Sequence, residues 1–208
     1  MDPKRIPLFP LDIVLFPGLP LPLHIFEPRY KLMIRYCVDE KLQFGVVLSR
    51  EGGIADVGCT ASILEVARTY PDGKMDIKTE GKKAFHVLEV FEEMPYYEAE
   101  VDFLEDEPEA RSELLASPVE LLQLYDRCHQ LLFGEPLDPD DLHLGGSLAF
   151  QIAGELPLDL DYKQELLEIR KESERRIHLL EKLGEWLPQL EHLQKMRQRA
   201  GGNGHGFA

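Results

Sequence analysis

The chain opens on an apolar run that proline interrupts every few residues: Ile6-Pro7-Leu8-Phe9-Pro10-Leu11-Asp12-Ile13-Val14-Leu15-Phe16-Pro17-Gly18-Leu19-Pro20-Leu21-Pro22-Leu23-His24-Ile25-Phe26. Proline removes a backbone donor and fixes φ, which excludes a regular helix here. The same interruptions would leave backbone groups unsatisfied in lipid, which excludes a membrane span. What remains is a pair of short strands, residues 12–16 and 19–25, joined at Pro17-Gly18. A Pro-Gly pair suits the two central positions of a type II turn, where glycine accepts the positive φ.

The rest of the first half reads as β structure with one helix inserted. Pro28 suits the first turn of a helix over residues 27–38, with Met33, Tyr36 and Cys37 as its buried stripe. Residues 44–48 form a short apolar strand, and Gly52-Gly53 a loop. Residues 59–69 and 75–79 flank Pro71-Asp72-Gly73, a strong hairpin signal. Residues 85–91 and 97–104 complete the strands, with Val101 and Phe103 alternating against Glu100 and Asp102. Short strands with mixed connections predict a closed or partly closed barrel.

Beyond Glu105-Asp106-Glu107-Pro108-Glu109 the pattern is helical. Ser117-Pro118-Val119-Glu120 combines an N-cap, a first-turn proline and a capping-box glutamate. The helix that follows carries Leu121, Leu124, Cys128 and Leu131 on one face and stops at Gly134. A second helix includes Leu148, Phe150 and Ile152. Asp159 or Asp161 then caps a long third helix over about residues 162–187, with Leu166, Ile169, Ile177, Leu180, Leu183 and Leu187 at helical spacing. Gly184 and Pro188 weaken or break it. The expected division is a β subdomain over residues 1–106, a helical subdomain over 107–200 and a disordered tail over 201–208.

Charge narrows the function. A net charge of -15 over 208 residues has the wrong sign for neutralising phosphates or an anionic membrane surface. Three dispersed cysteines, Cys37, Cys59 and Cys128, show neither metal-ligand nor disulfide-framework spacing, and no signal peptide is evident, so the expected compartment is the cytoplasm.

No arrangement of residues displays catalytic chemistry. Cys128 and His129 are neighbours, and neighbours on a helix do not face one another. Cys59 reads as a small buried hydrophobe, and His24 as the partner of a structural hydrogen bond. No histidine spacing suits a metal. Glu98, Glu100 and Asp102 share one strand face, expected to be solvated. Aromatic anchors make the better binding case, because they supply contact area with few rotors to freeze. The candidates are Phe16, Phe26, Tyr30, Tyr96 and Tyr97, all beside expected strand ends. Phe16 and Phe26 also suit a core, which leaves the three tyrosines as the surface candidates.

Several segments together resemble a known family. They are residues 7–18, residues 21–27, Phe44-Gly45-Val46-Val47, Asp56-Val57-Gly58-Cys59-Thr60-Ala61, Pro71-Asp72-Gly73, Glu80-Gly81-Lys82-Lys83-Ala84-Phe85, and Leu156-Pro157-Leu158-Asp159 followed by residues 163–168. Their order and spacing are similar to the N-terminal domain of the Lon protease family, over about residues 6–187. The resemblance implies an α+β fold: a PUA-like β pseudobarrel with an inserted helix, followed by a C-terminal helical bundle. It further implies a domain that binds polypeptide segments or partner proteins, without catalysis, cofactor or metal, in the setting of protein quality control. No phosphate-cradling G-x-x-x-x-G-K-[ST] loop is present. The alternatives are an RNA-binding PUA-like module, which the charge opposes, or a peptidase-family relative without catalytic activity.

Overall fold

A computed structural model describes residues 4–109, 118–138, 142 and 146–202, of which 199–202 are described as backbone alone. Its contacts divide the chain into two compact units. One comprises Met1–Glu107 and Gly145–Arg170, the other Pro108–Leu144 and Lys171–Ala208. The helical half of the sequence thus contributes to both.

The first unit contains β1 (Lys4–Leu11), β2 (Pro20–Ile25), α1 (Pro28–Asp39), β3 (Phe44–Arg50), β4 (Gly53–Thr69), β5 (Met75–Phe91) and β6 (Glu98–Leu104), then α3 (Leu148–Glu155) and α4 (Leu160–Glu168). The strands form one sheet in the order β2-β5-β4-β3-β1-β6, and β5 also pairs with β6, so the sheet curls into the expected pseudobarrel. β1 runs parallel to β3 and antiparallel to β6. Burial separates two apolar sets. Ile6, Leu8, Val47, Phe85, Ala99 and Val101 form one. Phe9, Val46 and Cys59 join Tyr30, Met33, Ile34 and Cys37 of α1 in the other.

The first expected strand is corrected. Residues 12–16 form no strand; the strand precedes them as β1 and includes Pro7 and Pro10. Those prolines are tolerated because residues 4–7 pair with β6 and residues 8–11 with β3, so each half has one unpaired side. The turn itself is as expected, with Gly18 at φ 83° and the Leu19 N–H donating to the Phe16 carbonyl at 3.2 Å. The 70–74 hairpin also forms, closed by Tyr70 N–H to Lys74 O at 2.9 Å, with Gly73 at φ 78°. The two strands expected over 75–91 are one continuous strand, bulged where it meets β4 and β6. In α1 the buried stripe is Tyr30, Met33, Ile34 and Cys37, and Tyr36 is exposed.

The second unit contains α2 (Pro118–Phe133) and α5 (Glu172–Gly202). Leu121, Tyr125 and Cys128 of α2 are buried, as are Leu179, Leu183 and Leu190 of α5. Ser117, the expected N-cap, and residues 203–208 of the expected tail lie outside the described residues. Gly134, at φ 85°, follows the last turn of α2 as expected.

The single long helix expected over 162–187 is two. Asp159 caps α4, accepting from the Tyr162 N–H at 2.8 Å. At the end of α4, Ile169 is extended (φ -71°, ψ 130°), and Arg170 is held in the first unit by Glu105 and Glu107. In the second unit, the Glu109 carboxylate accepts from the backbone N–H groups of Glu172 and Ser173 at 3.0 and 2.9 Å, capping α5. Burial alone would raise the Glu109 pKa; the hydrogen bonds from Ser173 and Glu172 outweigh it and hold the group below the usual carboxylate range. Pro188 does not end α5, which continues to Gly202.

Candidate functional site

The pseudobarrel unit contains a cleft of about 490 Å³. Five pieces of chain converge on it. β1 contributes Pro10, the first turn of α1 Arg29 and Tyr30, the β3–β4 junction Ser49, Gly52, Gly53 and Ile54, the end of β5 Val90 with Glu92 just past it, and the approach to β6 Tyr97. Pro28 at the start of α1 places Arg29 and Tyr30 at the helix mouth. The Tyr30 ring packs on Phe9, with centroids 4.1 Å apart, and the Arg29 guanidinium lies 4.5 Å above its centre. Glu27 accepts from Arg29 Nε at 2.9 Å, which fixes the guanidinium. Burial raises the Tyr30 phenol pKa, so it stays protonated. The Tyr97 backbone carbonyl accepts from the Leu8 N–H at 2.7 Å, which ties the segment before β6 to β1.

The five candidate aromatics separate. Tyr30 and Tyr97 meet at the cleft. Tyr30 and Tyr96, expected at the surface, are buried at 6% and 4% exposure. Tyr30 is one turn before Met33 and Ile34, so it belongs to the apolar stripe of α1 and lines the cleft from a buried position. Phe16 is buried and stacks on Phe150 at 4.8 Å. Phe26, which also suited a core, is 57% exposed, because it follows the last residue of β2 and turns away from the apolar face. Sequence reasoning missed Pro10, Arg29, Ile54 and Val90. They carry no local signal, since the cleft is assembled from segments far apart in the chain.

The other chemistry-bearing residues have structural partners. His24 Nδ1 lies 2.6 Å from Asp76, which also accepts from the Tyr70 hydroxyl at 2.7 Å. Those hydrogen bonds, His24 first, hold the Asp76 carboxyl below its usual range. His129 Nδ1 donates to the Glu135 carbonyl at 2.9 Å. Arg5 forks onto Glu98 and Glu93, both at 2.7 Å, neutralising part of the acidic strand face. Among the described residues no cluster of His, Cys, Asp or Glu is arranged to hold a metal ion. Among them, too, no helix is long and apolar enough to cross a membrane.

Burial pushes the thiols up from an ordinary 9.0, to about 12 at Cys37 and Cys59 and to about 11 at Cys128. A thiol that ionises so reluctantly is a poor nucleophile. Because the folded state holds these protons more tightly, their contribution to stability is complete below pH 9.0 and declines as pH rises toward those values. Denaturant titrations across that window are expected to show falling stability, with a shallower decline in Cys59→Ala. Equal slopes would remove this account.

The family model of the ATP-dependent protease La (LON) substrate-binding domain matches residues 5–185. Lon protease of Parabacteroides distasonis is 36% identical over 109 residues, covering 49% of this chain and 13% of that protein. Lon protease of Escherichia coli strain K12 is 25% identical over 218 residues, covering 96% of this chain and 28% of that protein. The chain therefore spans well under a third of these relatives. A Lon N-terminal domain protein from Xanthomonas campestris superposes with TM-score 0.68 at 27% identity, covering 89% of this chain and 99% of that one. The N-terminal domain of Mycobacterium avium complex Lon protease gives TM-score 0.67 at 20% identity, covering 87% and 98%, a likeness of fold alone.

Proposed function

Because this chain belongs to the LON substrate-binding domain family, we propose that it binds exposed polypeptide segments of other proteins, without catalysis, in cytoplasmic protein quality control. The observation that carries the reading is the cleft of about 490 Å³ in the matched region, lined by Tyr30, Tyr97, Pro10, Ile54 and Val90 with Arg29 at its mouth. A concave site that mixes apolar and aromatic side chains with polar groups such as Arg29, Ser49 and Glu92 suits one or two large side chains of a bound segment. Arg29 and the tyrosine hydroxyls supply hydrogen bonds to its backbone. The net charge of -15 favours segments with basic flanks and disfavours nucleic acid.

Fluorescence anisotropy tests this with labelled, unstructured peptides rich in aromatic and aliphatic residues. Tyr97 is a half-buried ring at the rim, so Tyr97→Ala is expected to weaken binding about tenfold or more, the range of an anchor residue. Far-UV circular dichroism should remain unchanged. Binding should survive moderate salt and nuclease treatment. Equal affinity for wild type and Tyr97→Ala would move the site elsewhere, and no binding across a diverse peptide array would refute the reading.

A further inference from the structure

The free edges of the sheet differ. β2 pairs with β5 alone, and β4 beyond Ala61 pairs with β5 alone, so each presents one row of backbone groups without a strand partner among the described residues. The β2 edge contains Pro20 and Pro22, which lack N–H donors and discourage an added strand. The β4 edge, residues 62–69, contains no proline. It is exposed from Leu64 to Thr69.

A groove of about 270 Å³ runs beside this edge, lined on one side by Ile63, Leu64 and Val66 and on the other by Val38, Lys41 and Leu42. Leu64 is 59% exposed, and Val38 and Val66 are also open to solvent. Bulges leave Leu64 without a residue opposite on β5, so its side chain has no cross-strand neighbour there.

We infer that the 62–69 edge of β4 is a docking site for an extended, apolar segment of another protein, added to the sheet as a further strand. This rests on the reading of the chain as a polypeptide-binding domain, and it names a second site and the bound conformation. Backbone hydrogen bonds would supply affinity, and the groove, where Val38, Leu42, Ile63, Leu64 and Val66 stand among Lys41, Gln43, Ser62 and Glu65, would take alternate side chains. Of the two charged side chains lining the groove, Glu65 is engaged by Lys78 at 2.8 Å, and the rest of the lining apart from Lys41 is uncharged, so the segment within it is uncharged. The net charge of -15 sets a second copy of this chain against itself and attracts a segment whose flanks carry Lys and Arg.

The probe is a labelled peptide of about ten residues, the length of one strand, alternating Val and Thr with Lys at each end. Two further versions carry N-methyl groups on odd or on even positions. The intact chain is expected to bind the parent peptide and to slow amide exchange within residues 62–69. One methylation phase should lower affinity about tenfold and the other should leave it unchanged, since alternate amides face opposite edges. Leu64→Asp, on an exposed side chain, should weaken this binding without altering the binding that depends on Tyr97. Protection confined to Ile54, Val90 and Tyr97 would overturn the edge site and leave the cleft reading standing. Absence of any peptide binding would overturn both. Protection of residues 62–69 that grows with protein concentration without peptide would assign the edge to a second copy and overturn the occupant.

Discussion

Phe85→Ala is expected to destabilise the pseudobarrel by about 3–5 kcal/mol, the range for deleting a buried aromatic ring. Phe85 is fully buried and packs with Leu8, Val47 and Val101. The strands around it are built to its shape. A Cβ at Gly45 would lie 2.6 Å from the ring, and one at Gly58 2.7 Å, so both glycines exist as space for Phe85. Gly58 lies opposite Phe85 in the β4–β5 register and opposite Val47 in the β3–β4 register. Removing the ring therefore leaves a void walled in part by the backbone of Gly45 and Gly58, which relaxes little. A loss of this size is a large share of the roughly 5–15 kcal/mol that holds a domain folded. Urea denaturation followed by far-UV circular dichroism should show a lower midpoint with an unchanged slope. The single tryptophan, Trp186, lies in α5 of the other unit. Its fluorescence midpoint thus reports whether the two units unfold together, because a Phe85→Ala shift seen by both probes requires cooperativity between them. A loss below about 1 kcal/mol would show that the barrel interior collapses around the void.

Which parts of this fold were legible in the sequence follows from how far each determinant lies along the chain. The Pro-Gly turn, the Pro-Asp-Gly hairpin, the first-turn proline of α1 and the alternation in β6 are local, and each forms where its residues predict. The strand at residues 12–16 does not, because apolar content there does not reveal that the pairing partners, β6 and β3, engage residues 4–11 instead. β1 tolerates Pro7 and Pro10 only because its two halves pair with different neighbours. The break between α4 and α5 has no local marker; the carboxylate that caps α5 comes from Glu109, 63 residues before Glu172. The cleft was half legible. Tyr30 and Tyr97 carried an aromatic signal, whereas Ile54 and Val90 acquire their place only when the β3–β4 turn and the end of β5 come together. The burial of Tyr30 was readable, since its spacing to Met33, Ile34 and Cys37 is that of one helical face.

Gly81→Ala is expected to be the most disruptive single-methyl addition in the opening half of the chain. A Cβ there would sit 2.2 Å from the Phe16 carbonyl oxygen and 3.2 Å from the Leu15 side chain. Backbone cannot yield to that as a flexible side chain does. Gly81 is also where the proline-interrupted run is fastened to β5: the Gly18 N–H donates to the Gly81 carbonyl at 2.8 Å, and the Gly81 N–H donates to the Leu19 carbonyl at 2.9 Å. Lifting the turn to admit a methyl group breaks both bonds, at a net ~0.5–1.5 kcal/mol each. It also draws Phe16 off Phe150 of α3, a buried stacked pair. With overpacking strain of about 1–3 kcal/mol, the combined loss should reach about 3 kcal/mol or more, and Gly18 and Gly81 should lose amide-exchange protection. Gly184→Ala is the matched control. Nothing lies within 4 Å of a Cβ built in that helix, so alanine there should stabilise by about 0.5–1 kcal/mol through helix propensity. If Gly81→Ala were as benign as Gly184→Ala, the turn would not be pinned to β5. The proline pattern would then owe its place to the edges of β1 and β2 alone.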